Sequence, residues 1–247
     1  MSNQNIYDNQ AFFNGYFALR GRDDCYNNLL EQPAIAELLP NLNGKTGLDL
    51  GCGYGHNCID FVRRGAKRIV GLDISGKMLA VARRESCDDK VEYINRSMTE
   101  IAQLNEKFDF VYSSLAFHYI EDFTKLIHDI YAVLHAGGWL LYSQEHPIVT
   151  ATRNGEGHFN RDAYGNPVSY TFSNYNQGGK REFHWFIDGV VNYHRPMGEL
   201  LTTIAKAGFM IEEVVEPVPK AWAVEKLPSL TKEFLNPNFL IIKAKKR

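Results

Sequence analysis

Three glycines alternate in Gly51-Cys52-Gly53-Tyr54-Gly55, between the apolar run Gly47 to Leu50 and a stretch of helical spacing, Asn57 to Val62. A strand, a tight glycine turn and a helix make a receiver for an anionic or nucleoside ligand. Glycine lets the backbone approach closely, and the helix N-terminus offers free N–H groups. Asp73 lies 22 residues beyond Gly51, at the end of a second apolar run, Arg68 to Leu72. There its carboxylate suits a bidentate hold on ribose hydroxyls. Two further places could hold or move a proton. His118 follows the run Phe108 to Tyr112, and Glu145-His146 follow Trp139 to Ser143. Histidine titrates near neutrality, and an acid beside it at a strand end suits a base or a substrate anchor. Equally, a lone histidine near a helix start, or a Glu-His pair, can serve only to pin the loop that follows.

Spacing separates the nucleotide motifs that compete for the glycine turn. A phosphate-binding P-loop needs glycine five residues before Gly44-Lys45-Thr46, where Leu39 stands. A dinucleotide fingerprint needs glycine at 56, where His56 stands. What remains, Asp49-Leu50-Gly51-Cys52-Gly53-Tyr54-Gly55 with Asp73 downstream, resembles the first motif of class I S-adenosylmethionine (SAM) dependent methyltransferases. The likeness is strong over residues 46–145, weaker over 190–245, and nearest to the small-molecule type of ubiquinone and menaquinone biosynthesis.

The resemblance implies SAM as cofactor and a Rossmann-like, doubly wound α/β fold. Its seven-stranded sheet would run 3-2-1-4-5-7-6 with strand seven antiparallel. It also implies site residues. Asp49, Gly51, Cys52 and Gly53 would pack on the methionine part, Asp73 would hold the ribose, and Ile74 and Met78 would face the adenosine. Ser97 stands where the family often has an acid for the adenine amino group. That contact is left to backbone groups of Ser97 and Met98, with Met98 stacked on the ring. Ser113 and Ser114 end strand four beside the reactive methyl. Tyr16 and Arg20 would belong to an N-terminal cap, Arg20 pairing with the SAM carboxylate.

The elements that must position these groups follow from periodicity. Phe12, Phe13, Tyr16 and Phe17 share a helical stripe, either a core face or a cap over the ligand. A helix is expected over 29–39, another from Ser75, a third over 122–134 closed by Gly137-Gly138, and a fourth carrying Leu200, Leu201 and Ile204. Strands are expected at 47–50, 68–72, 91–94, 108–112, 139–143, 210–215 and 239–244, with 217–237 irregular. From Ile148 to Val190 the pattern is lost in a stretch rich in Gly, Asn, Tyr and Phe. It is too aromatic for a linker and reads as a substrate lid, with a small hairpin, or as an oligomer surface that would make a homodimer.

The 247 residues suffice for a single domain over 1–247, with 1–44 as N-terminal cap and 146–195 as lid insertion. A formal net charge of −2 gives no footing for nucleic acid. No apolar run approaches a membrane span. The four cysteines show neither a CxxC pair nor zinc spacing, so no metal site is expected, and free thiols point to the cytoplasm. The polar start, Met1 to Asn5, lacks a signal region.

The implied reaction is transfer of a methyl group to a small-molecule acceptor by in-line displacement. His118, or Glu145 with His146, would deprotonate or orient a hydroxyl or an activated carbon. A SAM-binding sensor without transfer is an alternative. A nicotinamide oxidoreductase is disfavoured by His56.

Overall fold

The computed structural model describes residues 4–153 and 157–247. Residues 1–3 of the expected cap and polar N-terminus, and 154–156 of the expected lid, lie outside the described residues. Five parallel strands come first: β1 (Thr46–Leu50), β2 (Arg68–Asp73), β3 (Val91–Asn95), β4 (Phe108–Ser113) and β5 (Leu134–Glu145). Two antiparallel hairpins follow, β6 (His158–Arg161) with β7 (Pro167–Thr171), and β8 (Gly179–Trp185) with β9 (Ile187–His194). The closing pair is β10 (Phe209–Val215) and β11 (Phe239–Lys246). The main sheet has seven strands in the order β3-β2-β1-β4-β5-β11-β10, with β11 antiparallel to both neighbours. The expected order is therefore found, the two hairpins standing apart from the sheet.

Helices cover both faces: α1 (Gln10–Arg20), α2 (Gln32–Leu38), α3 (His56–Arg63), α4 (Gly76–Glu85), α5 (Phe123–Val133), α6 (Pro147–Ala151), α7 (Met197–Lys206) and α8 (Ala221–Lys226). Alternate strand residues feed two cores, as the twofold period of a strand requires. Leu48, Leu50, Leu140, Tyr142 and Ile242 pack with Leu126, Ile127 and Ile130 of α5 and Leu200 and Ile204 of α7. On the other face Ile69, Phe110, Tyr112, Leu141 and Ile241 pack with Ile35 of α2, Phe61 of α3 and Leu79 of α4. Among the described residues no helix is long and apolar enough to cross a membrane.

Three local expectations are corrected. The helix expected over 29–39 is divided, with a π-helical turn at Asn27–Glu31 before α2. The Gln32 N–H reaches back to the Asn27 carbonyl, and Pro33, with no N–H to give, ends the regular ladder. Gly137-Gly138 lie inside β5, with Gly137 at φ +77°, where the strand, Leu134–Glu145, shifts its register on β4 between Leu134 and Trp139. Residues 217–237 are ordered as α8 and a 3-10 segment, Pro228–Phe234, because Ala223 and Leu230 bury against Leu29, Leu30 and Phe239. Pro217, Pro219 and Pro228 hide that pattern by leaving only the eight residues 220–227 uninterrupted between them.

Candidate active site

The glycine turn is drawn onto β2 by its own amides. Gly51 N–H and Cys52 N–H both donate to the Leu72 carbonyl, at 2.8 and 2.9 Å. Gly51 sits at φ +75°, and a Cβ there would lie 2.8 Å from the Cβ of Ala116. Only glycine fits, and the backbone is left bare toward the ligand side. Asp73 at the end of β2 is buried among backbone donors. Gly53 N–H reaches Oδ2 and Ser75 N–H reaches Oδ1, each at 2.8 Å. Burial pushes its carboxyl up to about 6 against these two bonds. Each oxygen keeps a further lone pair, so the carboxylate can still accept from a diol.

A cavity opens over this turn, lined by Tyr16, Gly51, Gly53, Asp73, Ile74, Met78, Ser97, Met98 and Ser114 among the expected residues. The structure thus gathers nine of them. The rest stand behind. Asp49 and Cys52 are buried beneath the turn, and burial raises Asp49 to about 7 and Cys52 to about 11. Asp49 Oδ2 accepts from the Cys58 thiol at 3.3 Å, and its Oδ1 has no partner among the described residues. Ser113 Oγ donates to the Leu50 carbonyl at 2.7 Å and so ties β4 to β1. Arg20 lies outside the lining, its Nη1 4.0 Å from the Cys25 sulfur. Arg96 is the one basic side chain that lines the cavity. The carboxylate with spare lone pairs, the bare glycine turn and the apolar Leu72, Met78 and Met98 fit a nucleoside cofactor such as SAM.

The chain before α1 closes this cavity. Asp8 Oδ1 accepts from Ser75 Oγ at 2.6 Å and from Lys77 N–H at 3.1 Å, at the start of α4. Burial would push Asp8 up, but these bonds and one from Asn5 outweigh it and hold the carboxyl below its usual range. Gln4 bridges to β9, giving to the Gly189 carbonyl at 2.6 Å and taking from Val191 N–H at 2.8 Å.

A second cavity of about 160 Å³ adjoins the first. Tyr7, Tyr16, Leu115 and Tyr119 line both, and His118, Glu145, Trp185 and Phe239 line the second. Leu115, at this junction, holds φ +51°, a strained position for a side chain of its size. It is kept there by hydrogen bonds from its N–H to the carbonyl and hydroxyl of Ser143, at 3.0 and 3.1 Å.

His118 and Glu145 are neighbours; His146 does not join them. Glu145 N–H donates to His118 Nδ1 at 3.3 Å, and Nε2 lies 4.0 Å from Glu145 Oε2. Burial lowers the His118 value, so the ring is neutral. A neutral ring that accepts at Nδ1 carries its proton on Nε2, facing the carboxylate. At 4.0 Å the two side chains are too far apart for a hydrogen bond, and Glu145, which takes the Asn192 amide at 2.7 Å, is the member able to receive a proton. His146 faces elsewhere. Its Nδ1 accepts from Ile148 N–H at 3.1 Å as the N-cap of α6, and its Nε2 meets Glu216 Oε1 at 2.9 Å. It fills the loop-pinning alternative.

The sequence reading missed Tyr7, Tyr119, Leu115 and Glu31. Glu31 is fully buried and takes hydrogen bonds from Ser114 Oγ, Ser143 Oγ and Gln32 Nε2, joining the ends of β4 and β5 beneath the site. Nothing local in the sequence marks Glu31 as a site residue, since Ser114 and Ser143 lie 83 and 112 residues away.

The sequence profile of a family described as a methyltransferase domain matches residues 48–142. An S-adenosylmethionine-dependent methyltransferase of Mesorhizobium loti of solved structure is 33% identical. The match covers 92% of this chain and all of that one, with a TM-score of 0.80. An uncharacterized protein of Haemophilus influenzae is 36% identical over 251 residues, 98% of this chain and 96% of its own length. The ubiquinone biosynthesis O-methyltransferase of Alkalilimnicola ehrlichii is 32% identical over 119 residues; the match covers 47% of this chain and 48% of that relative.

Proposed function

Since this chain belongs to the S-adenosylmethionine-dependent methyltransferases, we propose that it delivers the methyl group to a small molecule seated in the cavity beside Glu145. The observation that carries this reading is the shared wall. Tyr7, Tyr16, Leu115 and Tyr119 border both cavities, so a donor on one side and an acceptor on the other meet across them. The bound cofactor supplies an already activated methyl on a sulfonium. What is left to the chain is to align the two reactants and keep water out. Asp73 and the glycine turn hold the nucleoside end, and the strained Leu115 shapes the passage between the cavities. Glu145 receives or anchors the acceptor's proton, while His118 holds the Glu145 backbone by accepting its N–H at Nδ1.

In this reading residues 1–44 act as cap and 146–195 as lid of one catalytic unit, in a reducing cytoplasm that suits the free Cys25, Cys52, Cys58 and Cys87. The cavity's volume of about 160 Å³ suits a small molecule.

The test joins binding with turnover. SAM is expected to raise the melting temperature of the purified protein and NAD to leave it unchanged. Incubation with SAM and a metabolite extract should then yield S-adenosylhomocysteine together with a methylated metabolite. A protein that binds SAM yet forms no S-adenosylhomocysteine with any extract would favour the sensor reading instead.

A further inference from the structure

The second cavity has a charge that nothing in its lining balances. Among the described residues Glu145 is its one acid, and neither Lys nor Arg lines it. The neighbouring Arg195 is committed elsewhere: its guanidinium donates to the carbonyls of Ile120 and Glu121 and lies 5.1 Å over the Phe123 ring. Of the carboxylate's two oxygens, Oε2 takes the Asn192 amide. Around it stand aromatic rings set edge to face. Tyr7 and Tyr16 lie 5.1 Å apart between centroids, Tyr16 and Trp185 5.9 Å, and Tyr7 and Tyr119 6.3 Å. The face of an aromatic ring carries the negative pole of its quadrupole, which attracts a cation.

Resting on the methyl-transfer reading above, we infer that the acceptor is a small amine, bound as its ammonium between the Glu145 carboxylate and the Tyr7, Tyr16, Tyr119 and Trp185 rings. This departs from the hydroxyl or carbon acceptor expected at the sequence level, where neither the ring cluster nor the unbalanced acid was visible. The volume of about 160 Å³ is close to the roughly 150 Å³ cavity known to take a benzene ring, so an arylalkyl or short branched amine fits.

The reaction balances with these groups. The ammonium gives one proton to Glu145, which becomes a carboxylic acid. The freed nitrogen lone pair forms the N–C bond as the C–S bond breaks, and that bond's electron pair stays on sulfur. The product is an N-methylated ammonium with neutral S-adenosylhomocysteine, and Glu145, whose side chain is 29% exposed, returns its proton to water.

The experiment compares matched pairs on the full chain saturated with S-adenosylhomocysteine: benzylamine with benzyl alcohol, 2-phenylethylamine with 2-phenylethanol, and isobutylamine with isobutanol. Calorimetry should show each amine bound at least about tenfold more tightly than its alcohol, the loss expected when a charge-assisted bond is removed. With SAM in place of S-adenosylhomocysteine, the amines should be the members methylated. Glu145→Gln should weaken amine binding about 10- to 100-fold while leaving alcohol binding and SAM affinity near the parent values. If that variant does not fold, the paired comparison on the parent chain decides alone. Alcohols bound as well as amines, alcohols alone methylated, or neither class bound would overturn the amine inference and leave the methyl-transfer reading standing. A parent chain that does not bind SAM would overturn both.

Discussion

At the level of single residues, the two buried acids at the ends of β1 and β2 carry opposite expectations. Asp73 has spare lone pairs beside a cavity. Asp73→Asn should therefore weaken SAM binding by tens- to a hundredfold, about 2–3 kcal/mol, as read by calorimetry; an unchanged dissociation constant would remove Asp73 from the ribose. Asp49 has an oxygen without a partner among the described residues and is not in the lining of the cofactor cavity. Its folded value stands near 7 against an ordinary 3.8, so the folded chain binds more protons than the unfolded one between those values. The stability this carboxyl contributes is complete below 3.8 and is lost as the pH rises through about 7. Asp49→Asn should flatten that decline and, at pH 8, raise stability by about 1–3 kcal/mol, the cost of a buried polar group left without a partner. Thermal unfolding of both proteins at pH 5 and pH 8 checks it, and equal slopes would refute it. Asp73 and the glycine turn were legible in the sequence because a strand, a turn and a strand end set their positions locally. Glu31 was not, since its partners Ser114 and Ser143 lie 83 and 112 residues away.

Among the elements, α1 packs its aromatic face on the β8–β9 hairpin. Phe12 and Tyr16 of α1 meet Trp185 edge on, at 5.2 and 5.9 Å between centroids, and Phe186 covers Gly15. A Cβ on Gly15 would come within 2.6 Å of the Phe186 ring, and Phe186 itself holds φ +59° at the tip of the hairpin. Gly15→Ala should thus part the helix from the hairpin. The expected result is faster proteolysis within 4–20 and weaker SAM binding, against little change in either if the Phe186 ring can simply rotate away. Removing residues 1–21 should act in the same direction and more strongly. Periodicity gave the helical stripe of α1 but left open whether it was core or cap, because the pattern is the same for both and only the hairpin distinguishes them. The strands were read closely, since continuous apolar runs mark a sheet buried on both faces. The π-helical turn before α2, the early start of β5 and α8 escaped, because proline and glycine there interrupt the pattern without ending the structure.

For the molecule as a whole, the sheet order was what the resemblance to the methyltransferase family implied, and the structure has it. The pairing of two cavities was not implied, because their common wall is built from Tyr7 and Tyr16 near one end of the chain and Leu115 and Tyr119 in its middle. That common wall has a thermodynamic consequence. Side chains that touch both ligands cannot settle around one without changing the terms on which the other binds. Coupling between two sites is reciprocal: the factor by which a filled donor site tightens the acceptor is the factor by which the acceptor tightens the donor. Titrating 2-phenylethylamine into the protein with and without S-adenosylhomocysteine, and then reversing the order, should return one factor from both routes, and a factor of one would mean the wall is rigid. Where that factor exceeds one, the enzyme's output follows the product of two concentrations more steeply than independent sites would allow. The chain then works as a coincidence detector for its two substrates, and S-adenosylhomocysteine that has not yet departed keeps fresh acceptor trapped in a dead-end complex.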